Sequence, residues 1–179
     1  MPKTFFISDT HFSHTNMLKF IKPNSGGEKL RVFNSIEEMN EAIIDNWNKV
    51  VSCRDTVYHL GDIAMKFQFV DLVKRLKGRK ILLPGNHDRS AAKEYLNYFE
   101  DIIGVVKHKE FLLSHYPVHQ DSIPTWCDAN IHGHTHSELV RFNNEIDHRY
   151  FNVCVERINY TPIEIDEIRA RIKERSFER

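Results

Sequence analysis

Lys80-Ile81-Leu82-Leu83-Pro84-Gly85-Asn86-His87-Asp88 reads as a strand that runs into a turn. The apolar run over 80–84 has β character, and Pro84-Gly85 ends it. The turn then carries an amide, an imidazole and a carboxylate, side chains that ligate hard cations or move protons. By chance the block Gly85-Asn86-His87-Asp88 would occur in a chain of this length on the order of once in a thousand cases. Four more blocks follow the same rule. Asp9-Thr10-His11 follows a β-type run over 4–8, and Gly61-Asp62 follows one over 56–60. His115 follows one over 110–114, and Gly133-His134-Thr135-His136 follows one over 129–132. A sheet built from these runs brings all five blocks to one edge.

Further strands are predicted over 103–107, 138–142 and 150–155. Ser35 with Glu38 makes a capping box, and Ile36, Met39, Ile43, Ile44, Trp47 and Val50 then recur at helical spacing. Helices are also predicted from Phe69 to Leu76, ending before Gly78, from Ala91 to Tyr98, and from Ile165 to Glu174 after Pro162. The first half thus reads β-α-β-α-β-α. The closely spaced strands of the second half are expected to be antiparallel. Residues 22–29, with Pro23 and Gly26-Gly27, form a loop. It either overhangs the strand ends or is a loose surface connection.

With 179 residues, the chain fits a single domain over 1–179. Lys plus Arg equals Asp plus Glu at 25 each, which argues against a surface that grips nucleic acid all over. The cluster Lys74, Arg75, Lys77, Arg79 and Lys80 reads as a solvated helix end. Cys53, Cys127 and Cys154 form no CxxC pair and suit reduced, mostly buried thiols in a cytoplasm. No basic leader precedes the first strand, so no signal peptide is expected, and no apolar run is long enough for a bilayer.

The blocks have a chemistry in common. Asp9 and His11, two apart, would point the same way in extended backbone and share one divalent cation. His134 and His136 repeat that logic and can send one imidazole to each of two cations. Asp62, with two oxygens, is the natural bridge between them. Asn86 can ligate without adding charge. His87 cannot easily face the same cation and is placed to give a proton to substrate. Asp88 reads as an orienting group or as an N-cap for the helix that follows. His132 should face the other way along its strand. Two divalent cations with Asp9 and Asp62 leave the bare site at about +2, and at about +1 once a hydroxide bridges the metals. Such a site attracts phosphate anions and lowers the pKa of bound water. The mixed oxygen and nitrogen ligands suit Mn²⁺ first, with Fe, Ni, Zn and Mg as alternatives.

In their order and spacing these blocks resemble the calcineurin-like metallophosphoesterase family, whose pattern is D-x-H, G-D, G-N-H-[DE], H and G-H-x-H. Ser8-Asp9-Thr10-His11-Phe12-Ser13-His14, His59-Leu60-Gly61-Asp62, Asn152-Val153 and Tyr160-Thr161-Pro162-Ile163 are similar to a small bacterial and phage subgroup. The resemblance implies an α/β fold, a four-layer αββα sandwich of mixed sheets with a dinuclear metal site at the strand ends. It implies Asp9, His11, Asp62 and His136 as ligands of the first metal. Asp62, Asn86, His115 and His134 would hold the second, with His87 as the acid. Ile63-Ala64-Met65-Lys66 lacks the second Asp of the protein-phosphatase branch, which argues against a protein serine/threonine phosphatase and leaves open what orients His87.

The expected activity is hydrolysis of a phosphodiester, with catalytic His87 and Asp62 and with His14, Asn86 and His87 facing substrate. The substrate would be a small phosphoester, a nucleotide or a nucleic-acid end, with no membrane involved. A phosphomonoesterase with the same centre and a metal-binding interaction module without catalysis are the competing readings. His59 reads as a buried strand residue or a partner to a ligand, and Glu156 and Arg157 have no assigned role.

Overall fold

The computed structural model describes residues 1–177; the last two residues of the domain expected over 1–179 lie outside the described residues. Two mixed sheets share one core. The first has the order β11-β1-β2-β3-β4: β1 Thr4–Ile7, β2 Thr56–His59, β3 Arg79–Leu82, β4 Asp101–Ile102 and β11 Ile163–Glu164. β1 to β4 are parallel, and β11 pairs antiparallel with β1. The second has the order β10-β7-β6-β5: β5 Val106–His108, β6 Phe111–Ser114, β7 Ala129–His132 and β10 Tyr150–Asn152. The sheets meet where Ser8, just past β1, bridges Cys154, just past β10. They also pack face to face where Phe6 and Tyr58 meet the His108 ring.

The second sheet departs from the antiparallel expectation. Only β5 and β6 are antiparallel; β6, β7 and β10 are parallel. The reason lies in the site. His115 and Gly133–His136 leave the carboxyl ends of β6 and β7, and only parallel strands put both exits at one edge. The strand expected over 103–107 falls across the break between two strands. β4 ends in the first sheet at Ile102, the chain passes Gly104, and β5 opens in the second sheet at Val106. One apolar run serves two sheets, which periodicity cannot show. The strand expected over 138–142 shrinks to β8 Arg141–Phe142, paired with β9 Glu145–Ile146. Asn143 and Asn144 turn this hairpin with φ of 49° and 68°, the left-handed pair that a tight two-residue turn needs.

α1 (Ile36–Val50) begins as expected: Ser35 Oγ accepts from Glu38 N at 3.0 Å, while the Glu38 carboxylate accepts from Asn34 N at 2.7 Å. Met39, Ile43, Ile44 and Trp47 are buried, whereas Val50 is exposed and Val51 buried in its place. The helix expected from Phe69 to Leu76 is a 3-10 turn over Phe67–Arg75. α2 is one turn, Ala92–Tyr95, and α3 runs Ile165–Phe177. The basic cluster is structural: Lys74 meets Asp71, Arg75 meets Glu41, Arg79 meets Glu100, and Lys80 donates to the carbonyls of Leu76 and Gly78. Of the cysteines, only Cys154 is buried, Cys53 is exposed, and all three are free. Among the described residues no helix is long and apolar enough to cross a membrane.

Candidate metal centre

All five blocks sit where expected, just past β1, β2, β3, β6 and β7. The way they reach one another differs from the expectation. Asp9, His11, Asp62, His134 and His136 have φ of 56°, 47°, 58°, 69° and 48°. Non-glycine residues pay strain in this left-handed region. Asp9 and His11 therefore converge through a strained turn rather than an extended strand. Strain gathered at one spot marks a site that the rest of the fold pays to hold. Close approach of the backbone completes it. A Cβ on Gly61, whose φ is 93°, would stand 2.4 Å from Gly85 N, and one on Gly85 would stand 2.2 Å from Asp62 Oδ1.

The polar groups form two sets, each with its ligating atoms within 4.8 Å of one another: Asp9, His11 and His136, and Asp62, His115 and His134. In the first set, Asp9 Oδ2 accepts from His134 N at 2.9 Å and from Cys154 Sγ at 3.1 Å. Its Oδ1 is buried without a partner, 3.8 Å from His11 Nε2 and 3.9 Å from His136 Nε2. Both His11 nitrogens are buried without partners too. Burial, with the nearby Arg31 charge, pulls the His11 pKa well below its usual value, so the ring is neutral with a lone pair free. His136 Nδ1 meets Glu156 Oε1 at 3.0 Å, which turns Nε2 toward Asp9. Burial pulls the His136 pKa down, but the Glu156 hydrogen bond and charge outweigh it and the net shift is upward.

In the second set, His115 Nδ1 lies 2.7 Å from the Leu60 carbonyl oxygen and donates to it. Nε2 then carries a lone pair. It faces Asn86 Oδ1 at 3.1 Å and Asp62 Oδ2 at 3.6 Å. Three electron-pair donors converge with no proton between them, an arrangement that a cation reconciles. Asp62 Oδ2 also lies 3.6 Å from His11 Nε2, so one oxygen faces both sets. Its Oδ1 is occupied by His87 N at 2.9 Å. The donor set is oxygen and nitrogen only, it is buried at Asp9, His11, Asp62 and His115 and partly buried at Asn86, His134 and His136, and Asp9 Oδ1 and both His11 nitrogens lack other partners. It fits a pair of divalent cations.

The match to the Calcineurin-like phosphoesterase superfamily domain covers residues 3–153. The chain belongs to this superfamily. It is 35% identical to an uncharacterized protein of Methanocaldococcus jannaschii, over 93% of this chain and 89% of that one. It is 27% identical to the gene 66 protein of Mycobacterium phage L5, over 87% of each. Among solved structures, a protein of unknown function from Aquifex aeolicus superposes with a TM-score of 0.67 at 32% identity, covering 95% of this chain and 99% of that one. The α/β architecture of two mixed sheets with the polar groups at the strand ends is that of the superfamily.

Around the two sets, His87 and His14 flank His11, with ring centroids at 5.4 and 5.6 Å. The His87 side chain is 27% exposed, and its Nε2 lies 3.9 Å from Asp62 Oδ2. Asp88 does not cap the following helix. Its carboxylate accepts from Asp62 N at 2.7 Å, Ile63 N at 3.1 Å and Gly85 N at 2.9 Å, which ties the Gly61-Asp62 turn to the Gly85–Asp88 turn. Burial pushes this carboxyl up to about 6, against the three donors that hold it down. His59 is buried: Nδ1 accepts from Gly61 N and Nε2 meets Thr10 Oγ1, whose hydroxyl donates to Ile63 O. Burial takes its pKa down to about 3, so it serves as a neutral strut. His132 turns away to the Gly133 carbonyl, as expected.

The sequence reading missed Arg31 and passed over Glu156 and Cys154. Arg31 is fully buried. It donates to Glu156 Oε1 and to the carbonyls of Thr10 and Asp9, so it pins the strained 9–11 turn and holds the carboxylate that orients His136. Burial alone would raise the Glu156 pKa; Arg31 and His136 overcome it and hold the carboxyl down at about 2. Arg31 stands just after the loop over 22–29. That segment is an ordered hairpin, with Ile21 bridging Lys29 and Lys22 N donating to Glu28 O. A lone Arg after a glycine-rich loop gives no sequence signal of burial.

Proposed function

We propose that the protein is a phosphodiesterase that works with two divalent metal ions, Mn²⁺ the first choice. Asp9, His11, Asp62 and His136 would hold one ion, and Asp62, Asn86, His115 and His134 the other. The observation that carries this reading is Asp62 Oδ2, which stands 3.6 Å from His11 Nε2 and 3.6 Å from His115 Nε2 with no hydrogen-bond donor assigned to it. When bound, the ion pair would supply Lewis-acid charge and a water of lowered pKa.

The chain's own residues do the rest. Asp9 and Asp62 each spend one oxygen on a backbone N–H and keep the other aimed inward, so the centre is held before substrate arrives. Glu156 and Leu60 O set the tautomers of His136 and His115. His14, Asn86 and His87 face the substrate. His87, about a quarter exposed beside Asp62, gives its proton to the departing ester oxygen.

The test is hydrolysis of bis(p-nitrophenyl) phosphate and p-nitrophenyl phosphate with Mn, Ni, Co, Mg and Zn. The diester should react faster, because a monoester dianion can occupy the whole centre and displace the attacking water. A clear preference for the monoester would make the protein a phosphomonoesterase with the same centre. No metal-stimulated turnover on either, with no metal retained after Mn loading, would leave only a non-catalytic role.

A further inference from the structure

Beside His136 the surface falls into a groove of about 720 Å³, walled by the hairpin over 22–30, the 137–141 segment and the 156–160 turn. Its volume suits a ligand of ordinary small-molecule size. The groove adjoins the metal centre through the neighbours of His136. Ser137 and Glu138 in its wall follow His136 directly, and Glu156, also in its wall, holds His136.

Its charge is lopsided once internal pairs are removed. Lys22, Lys29, Arg141 and Arg157 face Glu138 and Glu156. Lys22 is paired with Glu28, and Glu156 with Arg31 and His136. Three cations remain against one carboxylate. The Glu156 side chain lies behind the wall rather than in the open groove: it is 3% exposed and its carboxylate is taken up by Arg31 and His136. Tyr160 adds an aromatic wall, held edge-on by Phe33 with ring centroids 5.0 Å apart.

We propose that this groove binds a nucleoside phosphate unit of the substrate next to the scissile bond, which deepens the phosphodiesterase reading and rests on it. The base lies against Tyr160, and Lys29 and Arg157 take phosphates beyond the one cleaved. Stacking plus backbone charge is the way unpaired strands are held without sequence preference.

The experiment uses the Mn-loaded full chain and the double variant Lys29→Ala/Arg157→Ala, with Lys49→Ala/Arg54→Ala as a control that removes as much charge away from the groove. Binding is read by fluorescence anisotropy with a hydrolysis-resistant phosphorothioate thymidylate octamer. Turnover is read on the thymidylate octamer, on the 5′-phosphorylated dinucleotide pTpT, and on bis(p-nitrophenyl) phosphate. The groove variant should bind the octamer about ten-fold more weakly than the control, and its log–log salt slope should shrink by roughly 1.4, at about 0.7 per single-strand phosphate contact. Its kcat/KM should fall at least ten-fold more on the octamer than on the nitrophenyl diester. An equal loss on pTpT would identify a short diester, and a loss that grows with length an unpaired strand. Wild-type octamer binding in the groove variant, or an equal loss in the control, would overturn the proposal. If octamer binding needs Lys29 and Arg157 yet no ester is hydrolysed with any metal, the groove stands and the phosphodiesterase reading falls. Fast hydrolysis with unchanged octamer binding gives the reverse.

Discussion

The two halves of the centre are built by different means. The Asp62, His115 and His134 half is held through main-chain groups brought together by the sheet edge. Leu60 O orients His115, and Asp88 ties two neighbouring turns through their N–H groups. The Asp9, His11 and His136 half is held by side chains from far along the sequence. Arg31 and Glu156 are 125 residues apart, and Cys154 and Asp9 are 145 apart. The first arrangement follows from short motifs. The second places a buried guanidinium and carboxylate behind the ligands, where one charge offsets the other and the net charge of the cation site is left unchanged. The half held through main-chain groups should tolerate side-chain changes behind its ligands, Asp88 apart. The half held by side chains should lose its cation selectively when those side chains change.

Asp62→Asn should have the largest effect, because it strikes both halves at once. Changes to groups behind a ligand commonly cost about 10- to 100-fold in metal affinity or activity, so loss of the shared ligand should exceed ~100-fold in Mn-dependent kcat/KM. Metal analysis after Mn reloading should fall from near two per chain toward zero. Full turnover in this variant would show that the halves do not share Asp62.

His87→Ala tests the face that both halves present to substrate. An alkoxide leaving group needs a proton as it departs, whereas nitrophenolate is stable without one. General acid catalysis is worth about 100- to 10,000-fold. The loss in kcat/KM should approach that on a nucleotide diester and be far smaller on bis(p-nitrophenyl) phosphate, with metal content kept near two. Equal losses on both substrates together with lost metal would make His87 a ligand or a structural residue.

Glu156→Gln separates the halves. A Gln at 156 keeps the shape but removes the charge that orients His136 Nε2 toward Asp9 and that offsets Arg31. Metal affinity in the first half should drop about 10- to 100-fold, while the second half keeps its ion. Titration with Mn should then show one tight and one weakened event. Two equal events at wild-type affinity would mean that His136 is oriented by something other than Glu156.

The same contrast explains what could be read from the sequence. Asp9, His11, Asp62, Asn86, His115, His134 and His136 stand in short blocks after apolar runs, and the structure brings all seven together. The first three parallel strands of the first sheet were legible because helical or glycine-marked segments separate them; β4 was not, because its two residues merge into the apolar run that continues to β5. The parallel order of β6, β7 and β10 was not, because the long crossover after His115 carries no regular helix beyond a 3-10 turn at Gln120–Ser122. The φ values near +50° at Asp9, His11 and His136 were hidden because nothing but glycine advertises that region in a sequence. Arg31, Glu156 and Cys154 were hidden because their partners lie far along the chain, and charge pairing at that distance leaves no local pattern.

Cys154 should give the smallest effect and the finest resolution. Its Sγ lies 3.1 Å from Asp9 Oδ2, and burial with the Asp9 charge pushes the thiol pKa well up, so it stays protonated and donates. That bond and the one from His134 N hold Oδ2, which leaves Oδ1 for the cation. Replacing Cys154 by Ala removes one of the two donors and leaves the other. A lost hydrogen bond is worth about 1 kcal/mol, or roughly five-fold. Mn affinity in the first half should fall by that factor, with the second half unchanged. Replacing Cys154 by Ser keeps a donor at the same place and should restore most of the affinity. If Ala and Ser weaken the first half equally, the thiol acts by filling space. If neither changes it, His134 N alone holds Asp9, and the first half depends on distant side chains only through Arg31 and Glu156.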